Sequence, residues 1–570
     1  MDVVELNILN TVELIYRSFR VTKIPNKRLI LAALAAACFA ILELFTIATL
    51  LPIIAFTMGA GISPFDALVN KIPTQSVVGI KVLIIILYFI AITMSTTIRY
   101  MIMRLLNGLS NEYGRKLARV LMEAQIFQEY KDYNSQDQSD FISNATHRIN
   151  MIVVALIHPT LISAANALVL AIALVILWII FPVVTISLLL GAGVVYLFAL
   201  RTLISKAKSA GKKANQGITR LLTQTTDVHR IWMQMRLSAK EKYFSDLWGV
   251  GNSNYRTNIN KIMNLSILPR YIIEASIIIL LVVTVVVQGT LTPFTTDTAV
   301  LFGVYVVILL RTLPILQQTI TNYQSIQSSI PALIDVMKKI NETDLASLNC
   351  NNSGKDNEKK RMGISTINVD KISYLIQERE IINNFSFRFE MGKIYGIVGE
   401  SGAGKSTLLR IIGGLIEPTS GKVYVNDDPL TTTANLKTNA TMIAQSPSLL
   451  TGTIGENIQF GEPEDFIKFN ESIRAAKLDH IYQGKTYIKN IKLNPSNASL
   501  SGGQLQRIEI ARALYNNSNV LLLDEFTSAL DQESENQIIE EIQKIRKKCI
   551  IIIVTHRERP LEICDEVIRM

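Results

Sequence analysis

The residues from Gly399 to Thr407 read Gly-Glu-Ser-Gly-Ala-Gly-Lys-Ser-Thr and have the G-x-x-x-x-G-K-[ST] spacing of a phosphate-cradling loop. Gly399, Gly402 and Gly404 let the backbone turn tightly and bring its N–H groups against phosphate oxygens. Glu400, Ser401 and Ala403 complete the nucleotide-binding loop between them. Lys405 adds a mobile positive charge for the terminal phosphates, Ser406 offers a hydroxyl to Mg2+, and Thr407 ends the motif. A helix from Ser406 to Gly413 would aim its positive dipole end at the anion. The apolar run Lys393 to Val398 predicts a short buried strand ahead of it, so the order is strand, loop, helix. ATP with Mg2+ is the ligand this chemistry fits.

Two further stretches belong with the loop. Val520 to Leu523 is an apolar, strand-like run ending in Asp524-Glu525. A carboxylate at such a strand end can hold Mg2+, and the next can orient or deprotonate the attacking water. Leu500-Ser501-Gly502-Gly503-Gln504 precedes a helix-patterned run, Leu505 to Tyr515, and offers a second anion site at a helix start. One nucleotide does not need two such helix starts from one subunit. The economical arrangement is two subunits that sandwich ATP, each lending its Gly399 loop to one site and its Ser501–Gln504 segment to the other.

The remainder of the chain must position this chemistry, and its composition is that of a membrane protein. Of 570 residues, 49% are hydrophobic, and the mean hydropathy is +0.30. The net charge of +10 does not gather beside interleaved aromatics, which argues against a nucleic-acid partner. Cys38, Cys350, Cys549 and Cys564 are scattered, without metal spacing or a disulfide framework, as in a reducing compartment. Asp2 and Glu5 occupy the region where a cleavable signal would be basic, so no signal peptide is expected.

Six runs are long enough to cross a bilayer: roughly 29–58, 77–103, 152–180, 182–203, 265–287 and 299–320. The intervening segments 104–150 and 204–262 are rich in Lys and Arg, whereas the others hold almost none. Both termini and these two loops are therefore expected on the cytoplasmic side. Within the loops, Asn111 to Glu129 and Ile218 to Trp248 predict helices that leave the membrane. The polar break between Asp132 and Phe141 is expected to contact the nucleotide-binding part. The stretch before the first span, Val3 to Phe19, has helical apolar spacing suited to a membrane surface. Residues 351–361 have almost nothing to bury and read as a linker. The predicted division is a membrane domain over 1–335, a linker over 336–362 and a nucleotide-binding domain over 363–570.

In this order and at these distances the motifs resemble those of ATP-binding-cassette (ABC) transporters, and the chain is similar throughout to a half-transporter of the exporter type. The resemblance implies a polytopic α-helical membrane domain with six transmembrane helices, fused to an α/β P-loop nucleotide-binding domain. It also implies roles for single residues. Tyr374 lies where an aromatic stacks on adenine. Gln445 matches the glutamine that senses the metal and the γ-phosphate. Leu500 to Gln504 match the family signature, Asp524 the Mg2+ carboxylate and Glu525 the catalytic base. Ser528 to Asp531 match the loop that crosses the dimer interface, and His556 the histidine that contacts the γ-phosphate. Members of this class commonly continue past a segment such as Cys564 to Ile568, so a trimmed C-terminal edge is expected. With no nucleotide-site residue degraded, a homodimer in the bacterial inner membrane is expected, its nucleotide-binding domains in the cytoplasm.

Charges within spans are costly and draw attention. Arg270 and Glu274, one helical turn apart, read either as an ion pair or as part of a cavity. Glu43 reads as the partner of an arginine on another helix. Arg270 and Arg311 together could hold an anionic head group such as pyrophosphate. The segment Ile41 to Ile53 is similar to the first span of bacterial flippases for lipid-linked oligosaccharides. A flippase for an anionic lipid-linked glycan among the membrane lipids is therefore the first expectation, and an exporter of peptides or hydrophobic drugs the second.

Overall fold

The computed structural model describes residues 8–48, 77–180, 182–291, 296–342, 363–376, 379–427, 439–445, 447–479, 488–493, 501–528 and 530–570. The outer end of the first predicted span, the predicted linker 351–361, Leu500 and Ala529 lie outside them. The chain divides into two compact units, residues 1–128 with 132–350 and residues 351–570 with 129–131.

The first unit is helical. Among the described residues, a short α1 (Ile8–Val21) precedes six long helices: α2 (Asn26–Ala48), α3 (Val77–Ile126), α4 (His158–Ile180), α5 (Pro182–Arg230), α6 (Glu241–Leu291) and α7 (Thr296–Glu342). At about 1.5 Å per residue, α3, α5 and α6 each run about 75 Å, more than twice the ~30 Å of a bilayer's hydrocarbon. Among the described residues, Tyr88–Ile126 and Gln138–Ile179 have the length and apolarity to cross a membrane. Asn111 to Glu129 proves to be mostly the continuation of α3.

Ile218 to Trp248 is not one helix. The chain breaks after Arg230, makes a short helix Trp232–Leu237 and restarts at Glu241. Ala239 is left-handed at φ +50°. Its N–H bonds Arg236 O at 3.2 Å while the Lys240 N–H bonds Met235 O at 3.1 Å. These paired bonds close a helix, normally with glycine at the left-handed position. With alanine there, periodicity carries no stop signal.

α1 packs Leu14, Ile15 and Phe19 on the helical core while Val12 and Tyr16 stay exposed. Ser18 is tied to the fully buried Tyr113, whose hydroxyl lies 2.7 Å from Ser18 Oγ. Glu43 on α2 meets Arg99 on α3 in a buried ion pair. Arg270 and Glu274, in contrast, form no ion pair with each other. Without Glu43, Arg99 would be a half-buried cation with no matching anion. Arg99→Leu strands Glu43 instead, at a cost of about 3–5 kcal/mol. We expect that variant to lower the thermal unfolding midpoint of the purified protein, and Glu43→Leu added to it to recover most of the loss. A double variant no more stable than the single one would show that the pair does not hold this contact.

The second unit is α/β. Three strands, β1 (Thr366–Ile376), β2 (Arg379–Glu390) and β4 (Ser420–Val425), form an antiparallel sheet in the order β2-β1-β4. A parallel sheet combines β3 (Ile394–Val398), β5 (Ala440–Ile443), β6 (Val520–Asp524), β7 (Ile550–Val554) and β8 (Glu566–Arg569) in the order β8-β3-β7-β6-β5. The inner strands are continuous apolar runs, such as the Ile-Ile-Ile-Ile-Val of β7, as expected where both faces of a parallel sheet are covered. Helices α8 (Lys405–Ile412), α9 (Gly502–Asn516) and α10 (Gln532–Ile545) follow β3 and flank β6 in sequence. Because the strands run parallel, the residues that follow β3, β5, β6 and β7 all emerge at one edge of the sheet.

Candidate nucleotide site

The loop after β3 has the conformation its glycines permit. Gly404 has φ +89° and caps α8. A Cβ there would lie 2.8 Å from the Ile381 carbonyl oxygen, so glycine is required both by the backbone angle and by the neighbour. Ala403 N–H bonds Glu400 O at 3.2 Å, turning the loop back on itself; Ser401 stays exposed and Thr407 half-buried. Lys405 is buried, and its ammonium donates to the carbonyls of Gly399 and Glu400 at 2.8 and 2.7 Å. These neutral acceptors are weaker partners than phosphate oxygens.

Asp524 ends β6 buried beside the Ser406 hydroxyl. Burial raises its pKa above the ordinary carboxylate value, opposed in part by the Ser406 hydroxyl and the charges of Arg410 and Lys405. A buried anion short of positive charge is what a divalent cation would satisfy. The donors therefore fit Mg2+: the Ser406 hydroxyl, the Asp524 carboxylate and the amide oxygen of Gln445 would hold it, directly or through water.

Glu525, the next residue, adopts φ +46°. Left-handed backbone in a residue other than glycine costs energy and clusters at working sites. Its N–H is held by Val554 O at 2.9 Å. Gln445, just past β5, donates from Nε2 to Glu525 Oε2 at 2.7 Å. His556, just past β7, has Nε2 3.7 Å from Glu525 Oε1. Strands distant in sequence thus gather a glutamine and a histidine around the Glu525 carboxylate.

Ser501 to Gln504 make no hydrogen bond to the Gly399 loop among the described residues. Ser501 instead caps α9 in a reciprocal box: Gln504 N–H reaches Ser501 Oγ at 3.3 Å and Ser501 N–H reaches Gln504 Oε1 at 2.9 Å. Gly502 is exposed and Gly503 half-buried at this helix start. Asp531 caps α10 through the Ser534 N–H at 2.9 Å and hydroxyl at 2.7 Å; these bonds hold its pKa below the usual range. Tyr374 sits on β1 opposite Ile382, half-buried against the core.

Two supporting residues escaped the sequence reading. Arg557 donates to Ser528 O at 3.0 Å and to the buried Glu535 at 3.2 Å, tying the loop after β6 to the loop after β7. Glu509, buried in α9, accepts the Ser448 N–H at 2.6 Å and so fixes the chain just beyond Gln445. Burial raises its pKa. An arginine adjoining His556 and a lone glutamate in an apolar helix face were the only signals.

A phosphate loop, a metal-ready aspartate and a poised glutamate at one edge of a parallel sheet define a nucleotide-hydrolysing P-loop domain. Residues 382–528 match the family model of the ABC transporter. The chain is 34% identical over 260 residues to a leukotoxin export ATP-binding protein of Aggregatibacter actinomycetemcomitans, covering 45% of this chain and 35% of the relative. It is 29% identical over 265 residues to an ATP-dependent lipid A-core flippase of Mannheimia succiniciproducens, covering 46% and 44%. The chain spans less than half the length of the curated relatives it matches. A solved bacterial Atm1-family ABC exporter with ATP bound shares its fold at TM-score 0.77 and 19% identity, over 96% of this chain and 93% of that one. The C-terminal unit is an ABC nucleotide-binding domain, and the chain has the fold of an ABC exporter half-transporter: a polytopic helical membrane domain fused to that domain.

Asp524 links stability to function. Its folded pKa lies above its unfolded one, so the folded state binds that proton more tightly. Stability is lost as pH rises from the ordinary carboxylate pKa through the raised one, and is restored on acidification. At neutral pH, Asp524→Asn is therefore expected to raise the thermal midpoint of the nucleotide-free protein while abolishing Mg2+-dependent ATP hydrolysis. The gain should vanish at acidic pH, and added Mg2+ and ATP should stabilise the parent more than the variant. A lower midpoint for Asp524→Asn at neutral pH would contradict the burial argument.

Proposed function

We propose that this chain is one half of a homodimeric ATP-driven exporter that hydrolyses ATP to move its cargo out of the cytoplasmic leaflet by alternating access. The observation that carries this reading is the carboxylate of Glu525, with Gln445 on one oxygen and His556 facing the other. Gln445 fixes the carboxylate's orientation. The oxygen facing His556 is left to accept a proton from the attacking water. Mg2+, when bound, supplies neutralisation of the phosphate charge. Lys405 and the loop N–H groups bind and orient the phosphates. His556 contacts the γ-phosphate, Tyr374 stacks on adenine, and Ser501 to Gln504 with Asp531 serve the site of the partner subunit. In support of that last assignment, Ser501 to Gln504 make no hydrogen bond to their own chain's loop among the described residues.

ATP thereby joins two nucleotide-binding domains and its hydrolysis releases them. The extended α3, α5 and α6 carry the motion to the membrane domain. The protein belongs, on this reading, in the bacterial inner membrane with its nucleotide-binding domains in the cytoplasm. As cargo we favour a lipid-linked oligosaccharide; the relative described as a lipid A-core flippase supports a lipid. The relative described as a leukotoxin export ATP-binding protein favours the second reading, an exporter of peptides or hydrophobic drugs.

Glu525→Gln tests the core of the proposal. With the proton acceptor gone, ATPase activity of the purified protein should fall about a hundredfold or more. The variant should accumulate as a closed dimer in ATP and Mg2+, read by cross-linking between nucleotide-binding domains. Hydrolysis at the parental rate would remove Glu525 from the role of base.

A further inference from the structure

The helical unit holds a cavity of about 380 Å³, within the size range of small-ligand sites. Its wall comes from the segment leading into α4 and from α5, α6 and α7, and among the described residues it contains no Asp, Glu, Lys or Arg. Arg270 and Arg311, the expected anion holders, are not part of it.

The polar groups on this wall are short of partners. Gln324 on α7 is 3% exposed, yet neither its amide oxygen nor its amide nitrogen has a hydrogen-bond partner. Asn215 on α5 donates to Asp335 at 3.3 Å, which leaves its carbonyl oxygen facing away with no partner. Ser328 and Ser329 donate to Ser325 O at 2.9 Å each, and Ser266 donates to Met263 O at 2.6 Å. Their hydroxyls have spent their protons on the helix backbone and retain acceptor lone pairs.

Two other amides on α7 have partners. Gln318 accepts from Asn166 at 3.2 Å and Asn322 donates to Ser163 at 3.1 Å. An unmatched buried amide costs about 1–3 kcal/mol, so Gln324 stands out on this helix. The wall is also irregular where it meets the cavity. Two π-helical turns, Asn144–Arg148 and Val153–Ile157, supply His147, Val154 and Ala155 to it. Such turns are rare and concentrate at functional sites. On the opposite wall, a Cβ on Gly211 would lie 2.3 Å from Ser328 O, so only glycine lets α5 approach α7 so closely.

We propose that this cavity binds an uncharged polyhydroxylated group, one or two sugar rings, through donation from its hydroxyls to these acceptors. A phosphate or carboxylate would find mostly lone pairs and amides, with no lysine or arginine among the described wall residues, and would be buried at a large penalty. Hydroxyl groups fit acceptors, the Gln324 amide matches an N-acetyl group, and Tyr255 with Met263 offers an apolar face to the C–H side of a ring. The assignment rests on the proposed export function in treating the sugar as part of the cargo.

The test uses the full chain in lipid nanodiscs. Binding of N,N′-diacetylchitobiose is read by saturation-transfer NMR in the parent, in Gln324→Leu and in Ser266→Leu. Asn258→Leu, on α6 but off the wall, is the control. The parent and control should bind in the millimolar range, and each wall variant about tenfold more weakly or worse. Gln324→Leu should also keep or raise the thermal midpoint, since it removes an unpaired buried amide; loss of binding without loss of stability separates a ligand contact from a structural one. Ser266→Leu, at the half-buried edge, guards against a misfolded core variant. No saccharide signal in the parent, or equal signals in both wall variants, overturns the site. ATPase stimulation is then measured with the free disaccharide, with the same disaccharide on a polyprenyl pyrophosphate and with bare polyprenyl phosphate. Stimulation by the lipid-linked form alone assigns the sugar to a lipid head group, and stimulation by the free form assigns it to a soluble sugar. If none stimulates while binding still depends on Gln324, the saccharide site stands and the flippase reading falls.

Discussion

A carboxylate at the end of a buried strand is opposed in its ionisation by the water it has lost, and Asp524 is held in that position. Ser406, Arg410 and Lys405 offset part of the deficit without removing it. The site is therefore electrostatically incomplete in a way that a divalent cation with its phosphates completes. The surrounding architecture follows from that need. A parallel sheet gathers its strand ends at one edge, the β3 loop supplies donors for phosphate, and α8 presents its positive end where the anion belongs.

Glu525 shows the same economy at a finer scale. The left-handed backbone at this residue is held by one hydrogen bond to Val554 and directs the side chain between Gln445 and His556. Three strands contribute to that geometry, so a disturbance of any one of them misplaces the Glu525 carboxylate. Arg557 and Glu509 add to the arrangement from outside, by pinning the Ser528 loop and the segment after Gln445.

The helical unit treats its polar groups in two ways. Several polar groups that hold the helices together are matched: Glu43 with Arg99, Ser18 with Tyr113, Asn166 with Gln318. On the cavity wall the Gln324 amide and the Asn215 carbonyl are not, and the helix is locally widened into π turns there; Gln125 on α3 is likewise unmatched away from the cavity. Matched groups stabilise packing, whereas unmatched ones keep a binding capacity in reserve at some cost in stability.

The sequence by itself determined the chemistry of the nucleotide site and the order of its elements. The reason is that a phosphate loop needs particular glycines, a lysine and a hydroxyl at fixed spacing, and that buried parallel strands must be continuously apolar. The six apolar runs were legible for the same kind of reason, since a bilayer demands a minimum length. Tertiary structure alone decided which distant residues meet. Nothing in the chain's periodicity paired Glu43 with Arg99, placed Arg557 on Ser528, or ended a helix at a left-handed alanine. Nor could it have shown that the polar groups on a largely apolar cavity wall are amides and hydroxyls rather than Arg270 and Arg311. Local spacing fixes which face of a helix a residue occupies, but only the packing of several helices fixes what that face meets.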